Sequence, residues 1–453
     1  MQLDLTRGSV TKGILLFAFP MICGNMLQQL YNVVDTLIVG RFLGADALAA
    51  VGSSYTLMTF LTSILLGMSM GSGAIFSIRY GEKRWDRLKE NIFTSFAMIF
   101  VFSALINILV YLLADEIMGL LSVPDQVYGA MKSYLLVIFA GIMATFLYNF
   151  FASLLRAVGN SMTPLIFLGI AAVMNIVLDL VFVIVFLWGV EGAALATIIS
   201  QWFSGIGCMV YTIRKCPQMM PQRRHLKITG AGLREISGAS FLTCMQQSVM
   251  NFGILMVQGL VNSFGAVVMA AFAAAAKIDA FAYMPLQDFG NAFSTFIAQN
   301  YGAREKERIR RGMRVAAMMM VAFSVIISMV LLIFAGQLME LFVGDGEPDI
   351  VETGVSYLRI VCVFYFGIGG LFMLYGLYRA FNRAGMSLVL TVISLGTRVC
   401  LAYILSAIPA IGVVGIWWSV PIGWILADLT GVIYYMAAGK RIVSGKQGRE
   451  AVS

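Results

Sequence analysis

The chain has 453 residues, of which 60% are hydrophobic and only 12% are charged. So large an apolar fraction excludes a soluble globular protein, because such a protein needs no further apolar residues once its core is full. The composition instead predicts a polytopic membrane protein. The net charge of +8 then concerns which loops face the cytoplasm rather than binding to nucleic acid. The polar N-terminal residues lead straight into a full-length apolar segment, so we expect no signal peptide.

Twelve apolar segments are long enough to cross a bilayer as α-helices. They lie at 14–39, 51–77, 92–114, 129–154, 162–187, 192–212, 236–262, 266–297, 312–336, 353–378, 386–407 and 412–437. Connections on one side are basic, as in Arg79–Lys89, Arg214–Arg234 and Arg304–Arg314. Those on the other side carry the acids Asp115, Glu116, Asp125, Glu340, Asp345, Glu347, Asp349 and Glu352. By the positive-inside rule, the basic loops and both termini lie on the cytoplasmic side of the cell membrane.

The two halves of the chain repeat each other. At an offset of 221 residues, Leu43-Gly44-Ala45 matches Phe264-Gly265-Ala266 and Tyr80-Gly81 matches Tyr301-Gly302; at 223, Arg156-Ala157 matches Arg379-Ala380 and Tyr134 matches Tyr357. Six spans in each half give both halves the same orientation, related by a pseudo-two-fold axis along the membrane normal. We predict an all-α fold of two six-helix bundles: an N-terminal lobe at 1–218, a basic cytoplasmic linker at 219–235, and a C-terminal lobe with a short cytoplasmic tail at 236–453.

Polar residues inside the first span share one helical face. Gln28, Asn32 and Asp35 follow one another at spacings of four and three residues. An acid inside a span costs at least a few kcal/mol and usually serves a pathway or a relay. Pro20, in the same span, is expected to kink the helix.

A second acid lies in the fifth span, where Asn175 stands one turn before Asp179 on the same face. A rise of about 1.5 Å per residue places Asp179 about 21 Å above the cytoplasmic end of its span, and Thr197 of the sixth span at a similar height. We expect Asp35 to converge with these three residues in the outer half of the first bundle. Apolar surroundings and mutual repulsion favour a protonated carboxyl, so the pair could carry a proton; alternatively, the four side chains could hold a small metal cation such as Na⁺.

The second half has no copy of this cluster. Its matching positions are Met256, Arg398, Ala402 and Val420. A structural cluster in a duplicated fold would tend to recur, whereas a coupling site is needed only once, so the asymmetry favours a functional site. The alternative is that Asp35 and Asp179 only join helices through hydrogen bonds.

The remaining charged residues inside spans are interpreted mainly as structural. Lys277 and Asp279 are close enough in sequence to neutralise each other, and we expect a local pair. Asp428 needs a partner from another helix, and Arg398 must find an acid or a carbonyl group. Asp288 lies in a polar run and could either line a cleft or stabilise helices.

The chain has 29 methionines, and 12% of its residues are aromatic. Flexible thioethers and aromatic rings suit a pocket for varied, flat, apolar cations, although most such residues only pack helices. The candidate residues of a substrate cleft are Gln28, Asn32, Met68, Tyr148, Met256, Tyr283, Met284 and Asp288.

The sequence gives no indication of an enzyme or of a cofactor. The single histidine, His225, lies in a basic loop, which excludes an HExxH metal site and a histidine-based catalytic triad. A P-loop is absent, so ATP could drive the protein only through another subunit. The six cysteines form no CxxC pair and are interpreted as packed thiols.

The segment NVVDTLIVG at 32–40, continued by LGADALAAVG at 43–52, resembles the first-span signature of the MATE multidrug efflux transporters. Asn175 with Asp179 and Thr197, the run RAVGN at 156–160 and the run QNYGA at 299–303 are similar to the same family. The resemblance covers nearly the whole chain and implies a V-shaped pair of lobes that exports organic cations in exchange for H⁺ or Na⁺. It also implies a cation site at Asp35, Asn175, Asp179 and Thr197, and a bend of the first helix at Pro20.

One departure from the family pattern concerns the second half. NorM-type members carry acids in spans seven and ten, whereas here span seven offers Gln246, Gln247 and Asn251 and span ten has no acid. The chain is therefore more similar to the DinF-like branch, and we expect coupling to rest on the first lobe.

Taken together, these features predict a secondary active antiporter of the cell membrane that acts as a monomer and exports mainly cationic, amphipathic drugs. An ion that binds at Asp35 and Asp179 from outside would compete with bound drug. The alternative is a flippase for lipid-linked saccharides, which needs a cationic central cavity; only Arg398 and Lys277 are available for it in the middle of spans. An intramembrane enzyme lacks the nucleophile and base motifs.

Overall fold

The computed structural model describes residues 3–120, 125–343 and 347–444, and every regular element in these ranges is helical. The predicted all-α fold is therefore confirmed, as expected for apolar runs whose backbone groups must be bonded within each segment. Asp345 and the tail at 445–453 lie outside the described residues. The helices are α1 (Val10–Leu43), α2 (Ala45–Gly81), α3 (Trp85–Leu112), α4 (Ala114–Leu120), α5 (Asp125–Phe139), α6 (Ile142–Ala157), α7 (Met162–Asp179), α8 (Gly189–Lys215), α9 (Gly230–Asn262), α10 (Ala266–Gly302), α11 (Lys306–Val343), α12 (Pro348–Cys362), α13 (Tyr365–Ala380), α14 (Ala384–Ser406) and α15 (Val414–Ser444).

Within the described residues, nine helices are long and apolar enough to cross a bilayer, and eleven spans result when each of two bent pairs counts as one. The bent pairs are Gln126–Phe139 with Ile142–Ala157, at 43°, and Pro348–Cys362 with Tyr365–Ala380, at 54°. The remaining predicted span, 236–262, lies in α9. At 33 residues α9 is about 50 Å long, but polar side chains such as Gln246 and Gln247 dilute its apolar character.

The chain forms two compact units that divide inside helices. Unit 1 comprises Met1–Asp4 and Phe19–Cys244, and unit 2 comprises Leu5–Ala18 and Met245–Ser453. Both α1 and α9 thus contribute to each unit. The lobes predicted at 1–218 and 236–453 were defined by the sequence repeat, whereas the two units are defined by their compactness. The lobe boundaries stay a prediction.

Glycines let the first half of α9 pack closely on α2 within unit 1. A Cβ atom on Gly71 would lie 2.5 Å from the carbonyl oxygen of Ala239, and one on Gly67 would lie 2.6 Å from Cα of Cys244. Any larger residue at these two positions would separate the helices. This close approach fixes α2, whose first half contributes Val51 to a buried apolar cluster with Ile38, Val39 and Val183.

The linker between α8 and α9 is held against the start of α3. His225 is buried, and its Nε2 lies 2.9 Å from Oδ1 of Asp86. The backbone N–H of Gln222 donates to Nδ1 of the same ring, so Nε2 carries the hydrogen that is donated to Asp86. The only histidine of the sequence therefore has a structural role in the linker.

Candidate functional site

The candidate site of unit 1 is assembled from three helices. Asp35 lies in the second half of α1, Asn175 and Asp179 lie in the last turns of α7, and Thr197 lies early in α8. Directly after Asp179 the chain continues as a π-helical turn, Leu180–Val185. Such turns interrupt the regular hydrogen-bond ladder and are frequent at functional sites, so α7 is irregular where its acid stands.

The structure brings the four predicted residues together. The side-chain amide of Asn175 donates to Oγ1 of Thr197 at 3.4 Å, and Thr197 in turn donates to the carbonyl oxygen of Ala193 at 3.1 Å. The carboxyl of Asp35 lies within hydrogen-bonding reach of the carboxyl of Asp179. The convergence expected from helix heights is therefore observed, while the role of the cluster stays a prediction.

The cluster is rich in acceptors and poor in donors. Asp179 and Asn175 are 0% and 1% exposed. Among the described residues, no donor reaches Oδ1 of Asp35, Oδ1 of Asn175 or either carboxyl oxygen of Asp179. Two ionised carboxyls offer acceptors only, so their contact becomes a hydrogen bond only if one of them carries a proton. Each unsatisfied buried acceptor costs about 1–3 kcal/mol. A proton or a cation bound at the cluster would remove this cost.

Aromatic and aliphatic side chains surround the two carboxyls. Tyr134 is buried and Tyr31 half-buried, and both lie in the electric field of Asp35 and Asp179. Tyr31 is also hydrogen-bonded to Gln28, one of the predicted cleft residues. Tyr134 also belongs to a buried apolar cluster with Ile38, Val39, Val51, Val183 and Ala194. In such a low-dielectric environment an ion bound between the carboxyls is attracted far more strongly than in water.

Sequence reasoning did not assign Tyr31 or Tyr134 to the site. Tyr31 stands one turn before Asp35, which was an available signal, because residues four apart share a helix face. Tyr134 comes from α5, and its only sequence signal was the repeat match to Tyr357.

The interior of unit 2 contains a different arrangement around Asp279. Tyr365 donates to Oδ1 of this carboxyl at 2.5 Å, and Tyr357 donates to Oδ2 at 3.1 Å. The predicted pair with Lys277 is wrong, since Lys277 is exposed whereas Asp279 is buried. Side chains two residues apart on a helix do not face each other. The positive charge that acts on Asp279 comes instead from Arg398.

Asp428 lies against the face of α13 that carries Gly367 and Gly370. A Cβ atom on Gly370 would come within 3.0 Å of Oδ2 of Asp428. In the described part of the chain, Oδ1 of Asp428 has no hydrogen-bond partner. The carboxyl that was expected to find a partner on another helix thus lies against a glycine face of α13, where its Oδ1 accepts no hydrogen bond from the described residues.

The candidate cleft residues fall into both units. Gln28, Asn32, Met68 and Tyr148 belong to unit 1, and Met256, Tyr283, Met284 and Asp288 belong to unit 2. Met68 and Asp288 are buried at 6% and 2% exposure, whereas Met256 is 39% exposed. A cleft shared by these residues stays a prediction.

The chain matches a known family over most of its length. The family model described as MatE matches twice, at residues 20–181 and 239–404. The chain is 29% identical to the probable multidrug resistance protein YpnP of Bacillus subtilis, over 95% of this chain and 96% of that protein. It is 24% identical to the probable multidrug resistance protein NorM of Thermotoga maritima, over 98% of this chain and 94% of that protein.

A solved MOP superfamily transporter from Pyrococcus furiosus shares the fold, with a TM-score of 0.90 over 98% of each chain at 22% identity. The two matched ranges of the family model correspond to the two halves of the sequence repeat. Because these ranges together take in well over half of the residues, the chain belongs to the MatE family.

Proposed function

We propose that the protein is a secondary active multidrug efflux antiporter, which exports drugs in exchange for H⁺ or Na⁺ by alternating access. The relatives YpnP and NorM, which it matches over nearly their whole lengths, are described as probable multidrug resistance proteins. The observation that carries the proposal is the group of buried acceptor oxygens on Asp35, Asn175 and Asp179, which lacks a donor among the described residues. A proton or a small cation is the natural partner of such a group.

Exchange requires the ion and the drug to favour different states of the protein, because a ligand shifts a conformational equilibrium only by its differential affinity. In the proposed cycle, an ion enters from outside and neutralises Asp35 and Asp179, which removes the negative charge that attracts a cationic drug. The drug then leaves outward, and the ion escapes inward as the lobes rock.

Bending of α1 at Pro20 is the proposed link between ion binding and drug release. The helix runs from Val10 to Leu43 with Pro20 inside it. A proline has no N–H to donate to the preceding turn, so this is the point at which α1 bends most readily.

The proposed cargo is mainly cationic and amphipathic, because a carboxyl pair attracts cations and the methionine-rich, aromatic composition suits varied apolar shapes. We place the protein in the cell membrane with both termini in the cytoplasm, on the distribution of basic loops. We also propose a monomer, because one chain supplies all four residues of the cation site.

A flippase for lipid-linked saccharides remains the weaker proposal. It would need a positively charged cavity for a pyrophosphate group. Lys277 is exposed, and the charge of Arg398 is opposed by Asp279, so neither residue favours it.

The test uses purified protein in liposomes loaded with a fluorescent cationic dye, with a pH gradient and a Na⁺ gradient imposed separately. We expect one of the gradients to drive dye movement, and Asp35→Asn to stop it without loss of folded protein. Asp46→Asn, at an exposed acid of unit 1, serves as the matched control and should behave as wild type.

Two results would contradict the proposal in different ways. Wild-type transport by well-folded Asp35→Asn would remove the ion site from Asp35. Absence of dye movement under both gradients would argue against antiport, and translocation of a labelled lipid would then test the flippase.

A further inference from the structure

The short segment that precedes α1, residues 5–8, is held by one arginine at the start of α11. Nε and Nη2 of Arg308 donate to the carbonyl oxygen of Leu5 at 3.2 and 3.0 Å. Nη2 also donates to the carbonyl oxygen of Arg7 at 2.8 Å, and Nη1 to that of Gly8 at 2.7 Å. A guanidinium carries five N–H donors in fixed directions, so it can hold several acceptors in one geometry. Residues 5–8 are called the anchor segment below.

A second side chain of unit 2 binds the anchor segment. The amide of Asn300, near the end of α10, donates to the carbonyl oxygen of Leu5 at 3.1 Å and to that of Phe296 at 2.7 Å. Leu5 is 1% exposed and Asn300 is fully buried. The guanidinium carbon of Arg308 also lies 5.6 Å from the ring centroid of Phe296, a cation–π contact that holds the arginine against α10. The anchor segment is therefore docked on both α10 and α11.

The division of α1 between the units gives this docking a mechanical meaning. Unit 2 contains Leu5–Ala18, whereas the continuation of the helix from Phe19 belongs to unit 1 and carries Asp35. Pro20 stands directly after the division. Any displacement of one part of α1 relative to the other must be taken up along the continuous backbone between them. Pro20 lies in that stretch and lacks the N–H of a regular helix, so the bend is expected there.

The sequence repeat has a comparable attachment before α9, where His225 contacts Asp86 at the start of α3. At an offset of 221 residues, His225 matches Asp4 and Asp86 matches Glu307. Asp4 directly precedes the anchor segment, and Glu307 directly precedes Arg308. Like α1, α9 begins in one unit and continues in the other. An attachment therefore recurs at the same place of both halves with different side chains, which favours a role for the attachment itself.

We propose that Arg308 is a positioning residue for ion exchange, which fixes the start of α1 in unit 2 so that ion binding at Asp35 bends the helix at Pro20. This inference rests on the proposed function. Arg308 contacts neither ion nor drug in this account. Without it, the ion still binds, but the released start of α1 follows the rest of the helix and the bend is lost.

The first measurement is digestion of the purified full-length protein with trypsin, which cleaves after Arg7. The protease must take up the chain around this bond, so the Arg7 carbonyl group has to leave Arg308, and the rate reports how often the anchor segment opens. Arg308→Ala removes four hydrogen bonds from a charged donor. We expect residues 1–7, quantified by mass spectrometry, to be released at least about tenfold faster. Arg311→Ala, at an exposed arginine of the same helix, is the matched control and should release them at the wild-type rate.

The second measurement separates ion binding from export. In Arg308→Ala, the ion-dependent thermal shift should equal that of the wild type, because the cation site is intact, while gradient-driven dye export in liposomes should be lost. A purely structural role would lower the unfolding temperature and leave export by the folded protein unchanged. Deletion of residues 2–8 removes the anchor segment itself. Adding Arg308→Ala to this deletion should cause no further loss, as expected for two changes that act through one contact.

Four results would overturn the proposal. They are unchanged release of residues 1–7, normal export by folded Arg308→Ala, weakened ion binding in that variant, and a further loss when the substitution is added to the deletion. If Arg308→Ala does not fold, Arg308→Lys takes its place with the same expectations, because one ammonium group cannot reproduce a fork that spans three carbonyl groups.

Failure of this inference and failure of antiport give different results. Normal export by Arg308→Ala, together with loss of export in Asp35→Asn, would overturn the role of Arg308 and leave antiport standing. Absence of export by the wild type under both gradients would contradict antiport. The role of Arg308 in exchange would fall with it, even if digestion showed that Arg308 holds the anchor segment.

Discussion

Unit 1 buries Asp179 against Asp35 with no donor for either oxygen of Asp179 among the described residues, whereas the oxygens of Asp279 in unit 2 each accept a hydrogen bond from a tyrosine. The positive charge of Arg398 also acts on Asp279. Asp179 and Asp279 lie in the two halves of one sequence repeat. The two acids can therefore be compared within related helical frameworks. We therefore expect Asp279 to serve the packing of unit 2, and Asp35 with Asp179 to bind a mobile ion.

The matching positions of the repeat indicate which single substitutions test this comparison. Asn175 faces Arg398, Asp179 faces Ala402, and Thr197 faces Val420 at matching positions. Exchanging residues between the units, or removing one partner at a time, tests which difference would let unit 1 bind an exchangeable ion.

The largest effect is expected from Asp179→Asn, which keeps the shape of the side chain and removes its charge. Without the second carboxyl, the cluster has too little negative charge to bind an ion, so gradient-driven dye export should fall to the level of protein-free liposomes. The matched variant in unit 2, Asp279→Asn, should retain gradient-driven export. Equal losses in the two variants would mean that the units do not differ in this way.

Asn175→Arg gives unit 1 the residue that unit 2 has at the matching position. A guanidinium beside Asp35 and Asp179 should act as a permanent occupant and exclude H⁺ and Na⁺ by repulsion. We expect a folded protein whose unfolding temperature no longer depends on Na⁺ or on pH through this site, and which exports no dye. Ion-dependent stabilisation equal to that of the wild type would show that a tethered charge cannot fill the site.

The residues of unit 1 could be predicted from the sequence because their signals are local. An acid in an apolar run is conspicuous, and helical spacing pairs Asn175 with Asp179 on one face. Regular helix rise then places Thr197 at the same height as Asp179. Apolar length likewise predicts the spans, since a bilayer imposes a minimum on each.

The partners in unit 2 could not be predicted in the same way. Tyr357 and Tyr365 lie 78 and 86 residues from Asp279 in the sequence, so only the packing of three helices brings them together. The division of α1 and α9 between the compact units, and the bend between α12 and α13, likewise depend on packing between distant segments. Lys277 was a misleading neighbour of Asp279, because proximity in sequence does not place two side chains on the same helix face.

A smaller effect, on stability rather than transport, is expected from Tyr365→Phe. It removes the 2.5 Å hydrogen bond to Oδ1 of Asp279. Hydrogen bonds to charged groups contribute about 1.5–3 kcal/mol, so the free energy of unfolding should fall by this amount while the ion dependence of transport is unchanged. Tyr403→Phe, at an exposed tyrosine of α14, is the control for reversible chemical unfolding. A change in ion coupling in Tyr365→Phe would place unit 2 in the exchange mechanism.

The smallest effect is expected from Thr197→Val, which introduces the residue found at the matching position 420. The hydroxyl of Thr197 is lost as the acceptor for the Asn175 amide, which it contacts at 3.4 Å. A net loss of about 1 kcal/mol corresponds to an ion affinity about fivefold weaker, measured by ion-dependent thermal shift. Thr430→Val is the control in unit 2, because the hydroxyl of Thr430 likewise donates to a backbone carbonyl of its own helix, that of Leu426. This variant should leave the ion affinity unchanged.

The most direct test of the difference between the units is the affinity of the purified protein for a cationic dye, titrated against pH and against Na⁺ concentration. Binding linkage is reciprocal, so an ion that competes with the drug must weaken drug binding as its own concentration rises. We predict this competition for one of the two ions in the wild type and in Asp279→Asn, and its loss in Asp35→Asn. Competition that survives in Asp35→Asn, or that disappears in Asp279→Asn, would contradict the assignment of the exchangeable ion to unit 1.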